Sequence, residues 1–271
     1  MGFKTFHHLQ STILYLRNVP RSPSPPFSLT VEAKRTTLKM QLDVPIKISV
    51  VIPALNEVAR IERTLEALVT QPGPWEVIVV DGGSTDETMA RAAAYATVLT
   101  SSPGRARQMN HGAQDADGPV LLFLHADTLL PSDAFDLIRA TLTDPSAEAG
   151  AFRLRFDVAT PLLRFYSFCT RFPLPRLCFG DRGLFVRRAV FEALGGFPKV
   201  PIFEDLEMVR LLHQRGGFRF LSRAVTTAAR RFESVGPLRQ QALNSYLWVR
   251  YQLGADPERI AHLYSYDRKK R

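Results

Sequence analysis

The 271 residues include only two cysteines, Cys169 and Cys178, too few for a disulfide framework and without a His pair at metal-ligand spacing beside them. That scarcity excludes a small disulfide-stapled scaffold and a Cys-based zinc centre, and it fits a reduced, cytoplasmic compartment. No run approaches the roughly 18 uncharged apolar residues that a membrane-spanning helix needs, so the chain is expected to be soluble or peripheral at the inner face of a membrane. No unit repeats at about 20 to 50 residues, which excludes a solenoid or propeller. After the first strand-like segment there is no glycine-rich triphosphate-binding sequence followed by Lys, which tells against triphosphate chemistry.

Acidic residues are scarce at the N-terminus. Residues 1–42 hold six Lys+Arg against one Asp+Glu, residues 43–231 hold 22 against 21, and the last 40 hold seven against four. The formal charge of +9 therefore belongs to the ends, and the near-neutral centre excludes a nucleic-acid partner for it. Residues 1–42, with a Pro/Ser cluster from Pro20 to Pro26, have two readings. One is a targeting leader, organellar import included; the other is a disordered or misassigned extension with Met40 as the start.

With 45% hydrophobic residues the remainder can bury one sizeable core. The expected organisation is an extension over 1–42, one α/β domain over 43–235, and a C-terminal helical segment over 236–271 packed on or trailing it. Ile48–Ile52 reads as a buried strand, and Val58–Thr70 as a helix with Ile61, Leu65 and Leu68 on one face. Strand signals recur at Glu76–Val80, Thr97–Thr100 and Val120–Leu124, separated by helical patterns at Thr85–Ala94 and Arg105–Gln114. This alternation predicts a mostly parallel central sheet flanked by helices. A helix follows Pro131 to about Leu142, and Gly150–Phe156 alternates like an antiparallel or edge strand. Beyond it, Thr160–Phe172, Glu204–Gln214 and Leu238–Leu253 look helical, and Phe179–Val186 and Gly217–Leu221 extended.

In an open parallel sheet, ligands sit beyond the carboxyl ends of the strands. The polar residues there are Pro53-Ala-Leu-Asn56-Glu57, Asp81-Gly-Gly-Ser84, Gly104-Arg105-Ala-Arg107 and His125-Ala-Asp127. Each also has a structural reading: Pro53 and Asn56 suit a turn, Ser84 with Glu87 suits a capping box, and His125 suits a structural strand end. Their placement at four successive strand ends favours a shared function.

Ser49-Val-Val-Ile-Pro-Ala-Leu-Asn-Glu57, Val79-Val-Asp-Gly-Gly-Ser-Thr-Asp86 and Phe123-Leu-His-Ala-Asp127 resemble the donor-site motifs of family 2 glycosyltransferases, whose fold is GT-A. The likeness runs from about Ile46 to about Arg231. Four segments are similar to a bacterial subgroup associated with arsenosugar biosynthesis: Gly104–Asn110, Leu124–Thr128, Gly180–Gly183 and Phe203–Glu207.

The resemblance implies an inverting transfer of a hexosyl-type sugar from a nucleoside diphosphate sugar, UDP-linked by expectation, to an acceptor it does not identify. Pro53, Asn56, Glu57 and Asp81 then contact base and ribose. Arg105, at a helix start where an anion is favoured, contacts base or phosphate. Asp127 ligates a divalent cation, Mg²⁺ or Mn²⁺, on the diphosphate, where oxygen ligands, phosphates and retained waters complete the shell. Where the family has the first Asp of an Asp-x-Asp triplet this chain has His125, which leaves two roles: metal ligand, or hydrogen-bond partner of the diphosphate or ribose. Asp205 matches the second residue of the family's Glu-Asp pair and is the general base. Glu204, Gly180 and Asp181 face donor or acceptor sugar. Arg231 stands where relatives carry a Gln-x-x-Arg-Trp motif that contacts the diphosphate.

Two other functions stay open. Thr160–Phe179 mixes Phe and Leu with Arg164, Arg171 and Arg176, which suits either an amphipathic helix at a membrane surface serving a lipid or carotenoid-type acceptor, or plain packing on the core. A nucleotide-binding module without catalysis is the alternative of another class.

Overall fold

The computed structural model describes residues 45–172, 174 and 182–269. Four strands with wholly or largely apolar sequences form its first half: β1 (Ile48–Ala54), β2 (Trp75–Asp81), β3 (Thr97–Thr100) and β4 (Val120–Phe123). All pair in parallel, in the order β3-β2-β1-β4. Every residue of β1 and β4 is buried, as expected of strands covered on both faces.

The second half adds β5 (Thr128–Leu129), β6 (Ala149–Phe156), β7 (Leu184–Arg187) and β8 (Phe218–Thr227). The full order is β3-β2-β1-β4-β7-β6-β8-β5, with β7 antiparallel to β4 and β6, β8 parallel to β6, and β5 antiparallel to β8. The reading of Gly150–Phe156 as an antiparallel or edge strand holds in part: β6 pairs antiparallel with β7 at Ala149 and Gly150 only, and parallel with β8 along its length. Its alternation follows the pleat: Phe152, Leu154 and Phe156 are buried on one face, and Arg153 and Arg155 lie on the other.

Side chains of alternate strand residues feed two cores. Val50, Ile52, Val79 and Leu122 pack beneath the helices Ile61–Val69 and Ala134–Leu142, whereas Val51, Val80, Leu121 and Phe123 pack against the helices Arg105–Asp115 and Glu204–Gln214. The helix Arg105–Asp115 lies unusually close to the sheet at Gly112. A Cβ there would sit 2.5 Å from Val51 Cγ1 and 2.9 Å from Val80 Cγ2. Gly112→Ala is therefore expected to destabilise the protein by about 1–3 kcal/mol through overpacking, although alanine favours helix intrinsically. Urea unfolding of the variant against wild type measures this.

Several elements depart from the sequence reading. The helix expected over Thr85–Ala94 spans only Thr88–Ala92, and Ser84 makes no capping box: its hydroxyl is held by Asp81 and Asn56 instead. β8 continues to Thr227, well past Leu221, because its second half pairs with β6 and β5. Helices Arg188–Ala193 and Arg230–Val235 are additional, and the C-terminal region forms two helices, Pro237–Gln252 and Pro257–Lys269. Among the described residues, no helix is long and apolar enough to cross a membrane.

The helix Pro161–Cys169 begins at Thr160, whose hydroxyl accepts from Leu163 N, with Pro161 in the first turn. It buries Leu163 against the core, yet Phe165 and Phe168 are 64% and 49% exposed. Packing on the core thus accounts for Leu163 and Tyr166 but not for Phe165 and Phe168.

Candidate active site

Strands β1 to β4 are parallel, so their carboxyl ends share one edge of the sheet, and the strand order reverses direction between β1 and β4. That is the topological switch point, where an open α/β sheet forms its ligand crevice. The loops after β1 and β2 are joined by hydrogen bonds. Asn56 takes a left-handed conformation, φ 53°, which asparagine tolerates better than most residues. Its backbone N–H donates to Ser84 Oγ at 2.9 Å, and its Oδ1 accepts from Thr85 N at 2.9 Å. Glu57 N donates to Thr88 Oγ1 at 2.9 Å, and Val58 N to Asp86 Oδ2 at 3.4 Å. Asn56 and Glu57 thereby shape a rigid double loop, with Pro53 buried in β1 beneath it.

Asp81 is buried and organises its own loop. Its Oδ2 accepts from Gly83 N and Ser84 N, both at 2.8 Å, and its Oδ1 accepts from the Ser84 hydroxyl. A carboxylate has about four acceptor positions, so the loop itself takes three of them.

Gln108 is a residue the sequence reading missed. It is buried, and its Nε2 donates to Ala54 O at 2.9 Å and Val80 O at 2.8 Å, clamping the ends of β1 and β2 together. Gly82 lets it in, since a Cβ there would lie 3.0 Å from that nitrogen. The signal was available: Gln108 shares the buried helix side with Met109, Gly112 and Ala113, where a polar residue needs a reason. One turn earlier, Arg105 opens the same helix behind Gly104, whose φ of 137° only glycine adopts freely.

Beyond β4, His125 O accepts from Thr128 N at 3.1 Å and Ala126 O accepts from Thr64 Oγ1 at 2.9 Å. These bonds fix the turn that carries Asp127. Asp127 is half-buried, and its carboxylate has no hydrogen bond or ion pair among the described residues. It is thus available to a cation. Among those residues no group of three or more His, Cys, Asp or Glu could enclose a metal, so an ion at Asp127 would rely on phosphate oxygens and water. The residues fit a cation brought in with a diphosphate and do not form a closed metal cage.

The helix Glu204–Gln214 starts from Phe203, left-handed at φ 64°. For a bulky side chain this is a strained conformation, of the kind concentrated at functional sites. Phe203 stacks at 4.9 Å on Tyr251, whose hydroxyl donates to Glu207 Oε1 at 2.6 Å, so the helix Pro237–Gln252 braces this start. Glu204 is buried, and its pKa is raised to about 7 by that burial first and by the neighbouring Asp205 carboxylate second; the Arg105 guanidinium pulls it down. The helices Arg105–Asp115 and Glu204–Gln214 pack against each other on the same face of the sheet. Asp205 is half-buried, and its Oδ1 accepts from Leu206 N at 2.7 Å.

A carboxyl group whose pKa rises on folding keeps the native state protonated where the unfolded chain is already ionised. Glu204 therefore costs stability progressively from about pH 4.5 to about pH 7 and contributes no penalty below that window. Glu204→Gln is expected to be more stable than wild type at pH 8, by on the order of 3 kcal/mol, and equal to it near pH 4. Urea unfolding at the two pH values measures the difference.

Arg230 was also missed. Its guanidinium meets Glu57 at 3.0 and 3.4 Å, bringing the helix Arg230–Val235 onto the β1 loop. The side chain of the neighbouring Arg231 lies outside the described residues, as do Gly180 and Asp181. Arg182, from the same Gly-Asp-Arg-Gly segment, is buried: its Nε donates to Phe152 O at 2.8 Å and its Nη2 to Thr170 O at 3.1 Å. It acts as a strut between β6 and the end of the helix Pro161–Cys169.

A parallel half-sheet with an acidic turn after β4, extended by a mixed half-sheet and a helix that begins with the Glu204–Asp205 pair, defines the GT-A class of fold. Two solved structures share it at a TM-score of 0.56. One is Staphylococcus aureus TarS in complex with UDP-GlcNAc, 19% identical, covering 68% of this chain and 58% of that one. The other is the mannosyltransferase PcManGT from Pyrobaculum calidifontis in complex with GDP-Man and Mn²⁺, 23% identical, covering 86% and 76%. Residues 49–188 match the family described as Glycosyl transferase family 2, and the chain belongs to that family. A Bacillus subtilis protein named "Probable glycosyltransferase YdaM" is 29% identical over 215 residues, 66% of this chain. This chain spans about half the length of that relative, the match covering 50% of it.

Proposed function

We propose that the chain is an inverting glycosyltransferase that moves a hexosyl group from a nucleoside diphosphate sugar, UDP-linked in the first instance, to an acceptor hydroxyl. The observation that carries this reading is the placement of Asp81 at the carboxyl end of β2 and of Asp127 in the turn just beyond β4, on either side of β1 at the switch point of the parallel half-sheet. The Pro53–Glu57 loop and Asp81 receive the base and ribose. Arg105 and the basic helix start at Arg230 and Arg231 face the diphosphate, and Glu204 lies beside the sugar. Mg²⁺ or Mn²⁺ at Asp127 would offset the charge that develops on the leaving diphosphate. His125, at the entrance to that turn, serves as a hydrogen-bond donor to diphosphate or ribose.

Inversion requires the acceptor oxygen to attack the anomeric carbon as its bond to the diphosphate oxygen breaks. The hydroxyl proton passes to Asp205, and the nucleoside diphosphate departs with the bonding electron pair. Gly180 and Asp181 complete the sugar pocket in this reading. Residues 43–235 carry the chemistry, 236–271 brace it and 1–42 are an extension. The motifs similar to the arsenosugar-associated subgroup support assignment to that subgroup. A second reading, a lipid or carotenoid-type acceptor, is favoured by the exposed aromatics of the helix Pro161–Cys169, with the protein at the inner face of a membrane.

A mass-spectrometric screen of the purified protein with UDP-glucose, UDP-N-acetylglucosamine and GDP-mannose, scoring metal-dependent donor hydrolysis, tests the function. Turnover of at least one donor is expected. Binding of nucleoside diphosphates without turnover of any donor would instead identify a non-catalytic nucleotide-binding module.

A further inference from the structure

Two neighbouring helices share an unusual composition. Between Asp157 and Asp181 the sequence has no acidic residue, and between Glu233 and Asp256 it again has none. These intervals contain the helices Pro161–Cys169 and Pro237–Gln252, which pack against each other. The first carries Phe165, Phe168, Phe172 and Leu174, each about half exposed or more, with Arg164 and Arg171 exposed among them. Arg171 lies over the Phe168 ring at 5.3 Å, so its aliphatic stem and the ring form one amphipathic unit. On the second helix, Leu238, Tyr246, Val249 and Leu253 are exposed, and at about 100° per residue they fall within about 80° of one another.

Scattered exposed apolar residues need no explanation, but aromatics gathered on acid-free helices and flanked by arginines do. From the aromatic face and its charge, we propose that the helix Pro161–Cys169 and the turn after it dock on an anionic phospholipid bilayer. Phe165, Phe168, Phe172 and Leu174 enter the headgroup and acyl boundary, Arg164 and Arg171 pair with lipid phosphates, and the apolar stripe of Pro237–Gln252 extends the contact. The absence of acidic residues from these two intervals lessens the repulsion an anionic surface would otherwise meet. The surface is coupled to the crevice: Phe156 packs on Tyr166 and on Phe232, and Phe232 belongs to the short helix whose Arg230 holds Glu57. Docking here stands independently of the proposed sugar transfer.

Flotation of the full chain with vesicles of phosphatidylcholine alone, or with about one third phosphatidylglycerol, tests it. Wild type is expected to float with the anionic vesicles and to be released by high salt. Phe165→Ser/Phe168→Ser/Phe172→Ser should lower partitioning about tenfold or more, and Arg164→Gln/Arg171→Gln about tenfold on anionic vesicles only. A cooperative thermal unfolding transition without ligand, measured in each variant, reports an intact fold, and UDP binding, measured separately, keeps this proposal apart from the donor site. Should the triple variant fail to fold, the arginine pair carries the test. Wild type remaining at the bottom of the gradient, or both variants floating unchanged, would overturn the proposal. So would a wild-type dimer in solution that the triple variant splits, which would give this face to a second copy of the chain.

Discussion

Asp205→Asn is expected to lower kcat for sugar transfer by about 10³-fold, within the range of a lost general base, and to leave stabilisation by UDP and Mn²⁺ unchanged. The helix start that carries Asp205 is braced from outside, Phe203 packing on Tyr251 and Tyr251 donating to Glu207, and asparagine keeps the Oδ1 acceptor that Leu206 N uses. Loss of the charge removes the like-charged neighbour that helps raise the pKa of Glu204, so that pKa falls in the variant. The pH dependence of stability should flatten accordingly between about pH 4.5 and pH 7. Steady-state kinetics over donor concentration decide the role. A loss confined to KM for the donor, with kcat retained, would assign Asp205 to donor binding and leave the base elsewhere.

Asp127→Ala is expected to abolish the metal-dependent part of UDP binding and to lower kcat/KM by about 10²–10³-fold, the scale seen when one preorganised stabiliser of developing negative charge is removed. Because Asp127 joins no hydrogen bond or ion pair among the described residues, folding stability should stay within about 0.5 kcal/mol of wild type. Calorimetry with UDP, with and without Mn²⁺, reads the first effect. Wild type and variant binding UDP equally in Mn²⁺ would place the cation, if one is used, on other residues.

The parallel half of the fold was legible because its signals are local. Continuous apolar runs at Ile48–Ile52 and Val120–Leu124 can be little other than buried strands once helices alternate with them, and their carboxyl ends select the polar residues to inspect. The mixed half was less so, since the partners of β6 lie more than 30 residues away and its own alternation does not reveal them. The same distinction governs the site. Asp81, Asp127 and Asp205 stand out within short motifs, whereas Gln108 and Arg230 acquire their roles only through the carbonyls of Ala54 and Val80 and the carboxylate of Glu57, set beside them by folding. Ser84 shows how a local rule can mislead. Its spacing to Glu87 suits a helix cap, but the Asp81 carboxylate and the Asn56 N–H compete for the hydroxyl and win.

Glu204 was placed beside the sugar from the motif alone. Its burial and the neighbouring Asp205 carboxylate give it a second property, a carboxyl group whose pKa is raised to about 7. A group in that state can donate as well as accept a hydrogen bond, which suits contact with sugar hydroxyls better than permanent service as a base.

A crystal structure of the protein with UDP and Mn²⁺ is the most direct test of the central claim, that the crevice between β1 and β4 is a nucleoside diphosphate site. The account predicts the uracil against the Pro53–Glu57 loop and Asp81, and Mn²⁺ bridging the diphosphate to Asp127. UDP bound away from the carboxyl ends of β1, β2 and β4, or Mn²⁺ on the diphosphate with Asp127 uninvolved, would contradict it.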